Sequence, residues 1–144
     1  MAATLVMFGT APHNAFNGDI NWDGASNLKM GLLTAYTPSE DHDTWTAVKA
    51  AGTEHGTANG YTVGGVVLGT VTHDYAAGIS TFGSASVTWT ATGALTAKYA
   101  CCYDVASDKA IFYINLNAGA DVTATDAAFT ITDATGWFSI NVSP

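Results

Sequence analysis

His73 and Asp74 stand side by side, an imidazole base next to a carboxylate that could orient it, with the hydroxyls of Ser80 and Ser84 a few residues on. That set is raw material for nucleophilic or general-base catalysis. Glu40, Asp41, His42 and Asp43 place three carboxylates and an imidazole in succession, all of them metal-ligand types. Cys101 and Cys102 offer two thiols. A fourth stretch, GYTVGGVVLGTVTHDY (60–75), has the glycine density of a phosphate-cradling loop.

Spacing argues against each chemistry. Phosphate loops place their glycines between a strand and a helix, with a lysine and a hydroxyl residue in the strongest form, whereas here a second strand-like run follows and no lysine is near. Glycines inside such a run mark a bulge or a close backbone approach, and a neighbouring chain lying against Gly64 and Gly65 is the sharper form of that reading. Consecutive strand residues point to opposite faces, so His73 and Asp74 do not easily touch, and no G-x-S-x-G elbow occurs. Four consecutive ligand types cannot all converge on one small ion, and His13, His55 and His73 show no spacing that completes a zinc site. A solvated acidic helix start is the favoured reading of 40–43, with a calcium or magnesium ion near Asp41 and Asp43 left open. The adjacent cysteines would make a strained disulfide and read as free, buried thiols. A cysteine nucleophile would have only Lys98 as its cationic partner. No catalytic residue, cofactor or metal is therefore expected.

The elements that would position these groups are mostly strands. From Tyr61 onward, short β-branched or aromatic runs alternate with turn signals every eight to twelve residues, the mark of an antiparallel sandwich or barrel. Residues 60–75 read as a strand ending at a turn over 76–78. Next comes a run in which Val87 and Trp89 share one face and Ser86, Thr88 and Thr90 the other. ALTAKYACCYDV and KAIFYINLNA form a hairpin across 106–108, and AFTITDATGWFSINV a last hairpin turning at 133–136. NLKMGLLTA (27–35) looks like a strand. SEDHDTWTAVKAAG (39–52) is the one convincing helix, with Pro38 before it, acids in its first turn and Gly52 after it. The scattered Trp22, Trp45, Trp89 and Trp137 suit core anchors; a sugar platform would need several exposed on one face. The fold class is all-β: one small antiparallel β-sandwich over 1–144, jelly-roll or immunoglobulin-like, with a short helix in an N-terminal insertion.

Composition narrows the partners. With 144 residues, 48% of them hydrophobic and 11% charged, the chain buries a sizeable core and should fold as one domain. It has 25 alanines and 21 threonines against four lysines and no arginine, so small neutral residues cover much of its surface. A net charge of −8 without clustered bases excludes nucleic acid and anionic membrane surfaces as natural partners. No apolar run approaches the ~18 residues of a membrane span and no charged leader precedes one, so the chain reads as soluble and made in the cytosol. A glycosylation triplet at 141–143 is then without meaning.

The order of elements resembles a family of small structural proteins of tailed-bacteriophage virions. FNGDINW, the DHDTW segment (41–45), GYTVGG (60–65) and VTWTATGALTAKYA (87–100) carry the resemblance, which runs from about Phe16 to the end. Lys98 stands where an arginine is common in that family, and ACCYD replaces an aliphatic pair; both swaps suit the same core. The resemblance implies a non-enzymatic virion component, made in the host cytoplasm and carried on the capsid surface. It would be a decoration or cement protein whose partners are the major capsid protein and neighbouring copies of itself, a trimer among the arrangements. Related proteins include tail components, so a tail or tail-fibre module that binds a host glycan is the alternative. A small hydrolase or isomerase, needing a pocket that joins His73 or His13 to a carboxylate, is the other rival class. For a cement protein, MAATLVMFGTAP (1–12) is either an extended arm that contacts the shell through Leu5, Val6, Met7 and Phe8 or a frayed terminus, and LVMFG (5–9) also suits an edge strand.

Overall fold

The protein is described here by a computed structural model covering residues 3–22, 27–133 and 136–141. In chain order the elements are β1 (Thr4–Met7), α1 (Ala11–Phe16), β2 (Leu28–Tyr36), α2 (Trp45–Ala50), β3 (Gly52–Glu54), β4 (Val66–Val67), β5 (Thr72–Ala76) and β6 (Ile79–Gly83). They continue with β7 (Val87–Thr90), β8 (Ala94–Ala97), β9 (Tyr99–Asp104), β10 (Ala110–Asn115), β11 (Val122–Thr125), β12 (Ala128–Ile131) and β13 (Phe138–Asn141). The fold is an all-β sandwich of antiparallel sheets.

One layer is a six-stranded sheet in the order β1-β10-β9-β2-β3, with β4 also paired to β2. The other is assembled from β5-β6-β13, β7-β12 and β8-β11. Their pairing is nested: Phe82 lies opposite Phe138, Trp89 opposite Phe129, Leu95 opposite Ala124, and Ala100 opposite Ile114. The second half of the chain is thus one long hairpin, kinked between strands and folded over, the winding of a jelly roll. The expected last hairpin is corrected by this register. β12 pairs with β7 and β13 with β6, because each run continues the ladder begun at the β9–β10 turn instead of folding on its sequence neighbour. The β9–β10 hairpin itself forms as expected, with a bulge near Ile111.

The core lies between the layers. Leu28, Met30, Leu32, Leu33, Ala100, Cys101, Cys102 and Phe112 are fully buried. Cys101 and Cys102 point to opposite faces of β9 and both are buried because β9 is central and covered on both sides. They are free thiols. On the outer face, Trp45 fills the space left at Gly31, where a Cβ would stand 2.7 Å from the indole, and stacks on Tyr103 at 4.7 Å. Trp89 and Trp137 are buried too, as core anchors should be.

Three local expectations change. The helix expected over 39–52 is only Trp45–Ala50, capped by Thr44, whose hydroxyl accepts the Ala47 N–H at 3.1 Å. The acids of 40–43 therefore precede the helix. A second short helix, α1, ends at Asn17 with Gly18 at φ +78°, a left-handed stop. Residues 60–75 are not one strand: 60–65 form turns, followed by β4 and then by β5.

Candidate functional site

Several of the residues singled out in the sequence take part in the packing of the fold. Gly64 and Gly65 adopt φ +92° and +70°. The backbone against Gly65 is the chain's own, since a Cβ there would overlap the Met30 carbonyl. Glu54 accepts the Gly64 N–H at 2.5 Å and the Tyr61 hydroxyl at 2.9 Å, while the Tyr103 hydroxyl donates to the Gly64 carbonyl at 2.7 Å. The Tyr61 oxygen also accepts the Leu32 N–H at 3.1 Å, tying the glycine loop onto β2. The loop is an internal clamp, and its close neighbour is β2.

His73 and Asp74 face opposite sides of β5, as strand geometry requires. The His73 ring lies 5.6 Å from Phe82 and 6.0 Å from Trp22. Ser84 is engaged by the Trp137 indole N–H at 2.8 Å and donates to the Ala85 carbonyl. In the 40–43 segment, the His42 ring is hydrogen-bonded to the Tyr36 hydroxyl at 2.8 Å, and Asp43 lies 3.8 Å from Lys109. Among the described residues no group of three or more His, Cys, Asp or Glu side chains is arranged to hold a metal ion. Burial pushes the Cys101 and Cys102 thiols far up from their usual range, away from a nucleophilic thiolate.

What the fold does assemble is an apolar cleft of about 270 Å³ between α1 and the β5-β6-β13 sheet. Its floor is aromatic: Trp22 packs edge-on to Phe82 at 4.8 Å, and Phe82 stacks on Phe138 at 5.1 Å. The loop that carries Trp22 is held by the buried carboxylate of Asp104, which accepts the Asn21 N–H at 2.7 Å. One wall is α1, through Pro12, Ala15 and Phe16; the other is the sheet, through His73, Ser80 and Ile140. No aspartate, glutamate or lysine is among the described lining residues. At the rim, Phe16 is 85% exposed and Ile140 48% exposed.

Met7 joins this cleft to the open edge of the larger sheet. Among the described residues β1 pairs on one side only, with Val6 opposite Tyr113 and Met7 opposite Phe112. The Phe8 N–H donates to the Ile111 carbonyl at 3.1 Å, so the antiparallel alternation turns the backbone groups of Leu5 and Met7 to the open side. Val6 is exposed, Leu5 and Met7 are half-buried against the core, and Phe8 is buried. The 4–7 segment is thus an edge strand instead of a loose arm, because Phe8 anchors it beside Tyr113 at 5.5 Å. This four-residue edge carries neither lysine nor proline, two of the features that natural strands use to repel a further strand. Sequence reasoning found this edge but missed Phe16, Trp22 and Ile140 as one surface, since they lie far apart in the chain and only the folded hairpin joins them. Compared with family models, with curated proteins and with solved structures, the chain gives no match in any of the three.

Proposed function

We propose that this chain is a non-enzymatic virion structural protein of the capsid-decoration type, which binds a phage head through the β1 edge and the adjoining apolar cleft. The observation that carries the reading is that contiguous surface: an uncharged open strand beside an aromatic-floored cleft on a chain with few basic side chains. Main-chain pairing at β1 would supply affinity, and the cleft would select an apolar side chain of the shell subunit or of a neighbouring copy. The resemblance of residues 16–144 to tailed-phage virion proteins supports the same class. Many copies binding weakly would stabilise a shell by mass action. A tail-borne glycan-binding module asks for several exposed tryptophans or tyrosines on one face, whereas Trp45, Trp89 and Trp137 are buried.

The test is co-sedimentation of purified protein with heads and with tails separated on a density gradient. Binding to tail-free heads at many copies per particle is expected, with the double variant Phe16→Ser, Ile140→Ser weakened by about tenfold or more, as for loss of interface anchors. Binding to tails alone, or undiminished binding by the double variant, overturns the reading or the surface respectively. Deleting 1–12 is a poor test, since it would also remove Phe8 from the core.

A further inference from the structure

The sequence contains two Asn-Gly steps, Asn17-Gly18 and Asn59-Gly60. At such a step the following backbone nitrogen meets little steric obstruction on its way to the asparagine side chain, because glycine has no Cβ. The fold holds the two in opposite ways. Asn59 sits at φ +53° in a turn, its side-chain amide donates to the Ala94 carbonyl at 2.8 Å, and its backbone carbonyl accepts the Thr92 N–H at 3.2 Å. Gly60 is pressed against the Thr90 carbonyl, and the Asn59 carboxamide lies against Gly93, so neither partner can turn toward the other. Asn17 instead caps the end of α1, exposed to solvent. Gly18 after it has nothing within 4 Å of the place a Cβ would occupy. One turn back on the same helix, the His13 Nε2 lies 3.0 Å from the Asn17 amide nitrogen.

We propose that Asn17 is a site of spontaneous deamidation and isoaspartate formation in the folded protein, with His13 holding its carboxamide in place. The Gly18 nitrogen gives its proton to solvent base and forms a bond to Asn17 Cγ. The tetrahedral centre collapses as the Cγ–Nδ2 bond breaks, and Nδ2 leaves as ammonia, taking its additional proton from water, while the hydrogen bond that Nδ2–H donates to His13 Nε2 holds the carboxamide in place for the attack. Water then adds to either carbonyl of the resulting succinimide and opens it to aspartate or to the backbone-rerouted isoaspartate. Opening the last turn of a six-residue helix frees the Gly18 N–H from the Ala15 carbonyl, a small local event at a helix end. The product places a new carboxylate beside His13 and, in the isoaspartate form, inserts an extra backbone atom directly after Phe16. This inference is independent of the proposed capsid role.

The four lysines make the test direct, because trypsin cutting after Lys29, Lys49 and Lys98 places Asn17 in peptide 1–29 and Asn59 in peptide 50–98. Purified protein is aged at neutral pH and its peptides are followed by mass spectrometry and enzymatic isoaspartate labelling, beside a sample aged in urea. In the folded protein, peptide 1–29 should convert about tenfold or more faster than 50–98, the protection expected from the hydrogen bonds that hold Asn59. In urea the two rates should converge. His13→Ala, an exposed change that favours helix, should slow conversion at Asn17 severalfold in the folded protein and leave the urea rates unchanged. Equal rates in the folded protein, or faster conversion of 50–98, overturn the site. An unchanged Asn17 rate in His13→Ala overturns the histidine's part.

Discussion

The two sides of the sandwich use similar residues to different ends. In the larger sheet, β2 and β9 are buried on both faces, because Trp45 and Tyr61 cover one side and the folded hairpin covers the other. In the β5-β6-β13 sheet, only the root is covered, where Phe82 and Phe138 meet Trp22 and Phe112. Its far end leaves Tyr75 71% exposed, with Ile79 and Ile140 partly so, and β5 is exposed along its whole length. Residue type alone therefore does not decide burial here; what is stacked on each face does. Apolar surface that the chain cannot cover itself is surface on which a partner gains free energy by excluding water.

Raising the pH should break the buried side first and with the largest effect. Burial pushes the acidities of Tyr36, Tyr61, Tyr103 and Cys102 to higher pH than usual, so the folded state holds their protons more tightly than the unfolded chain does. The associated stability is fully present below the unfolded values, about 8.5 for cysteine and about 10 for tyrosine, and is lost as pH rises beyond them toward the folded values. Circular dichroism across an alkaline titration should show cooperative unfolding, with Tyr36, Tyr61 and Tyr103 ionising only as structure disappears. Ionisation of these three with the fold intact would contradict the two-sided burial.

Phe112→Ala should come next, at about 3–5 kcal/mol, because its ring fills the space between the layers against Trp137 and Phe138. Urea unfolding would measure it, and a cost under about 1 kcal/mol would mean that the layers repack without it. Gly65→Ala should cost about 2–3 kcal/mol through its left-handed backbone and overlap with the Met30 carbonyl, whereas Gly18→Ala, with open space around it, should cost about 1 kcal/mol. Equal costs at the two glycines would show that the 60–65 loop yields more easily than its contacts suggest. Smallest of all, Phe16→Ser should change stability by no more than about 0.5 kcal/mol, since the ring is exposed. A larger loss in thermal unfolding would mean that the cleft already serves the fold and is not held open for a partner.

Much of this was legible in the chain. Alternation announced Val87 and Trp89 inside with Thr88 and Thr90 outside, and the structure places them so. The turn signals located the β5–β6 and β9–β10 hairpins, and the paired cysteines read correctly as buried thiols. The helix was read too long because acids before Thr44 look the same in sequence as acids inside a first turn. Residues 60–65 were read as strand because valine and tyrosine carry strand propensity, while the positive φ values of Gly64 and Gly65 depend on the close approach of β2.

The sequence by itself determined the class of the protein: its β periodicity, its turns, its free thiols and its scarcity of basic side chains all follow from local residue order. Which run pairs with which was decided only in three dimensions. A strand's pattern states which face is apolar but not whose edge it will meet, and here the ladder started at the β9–β10 turn imposes the rest. That ladder sets Phe138 beside Phe82 and brings Ile140 into one cleft with Phe16 of α1, residues that no local signal connects.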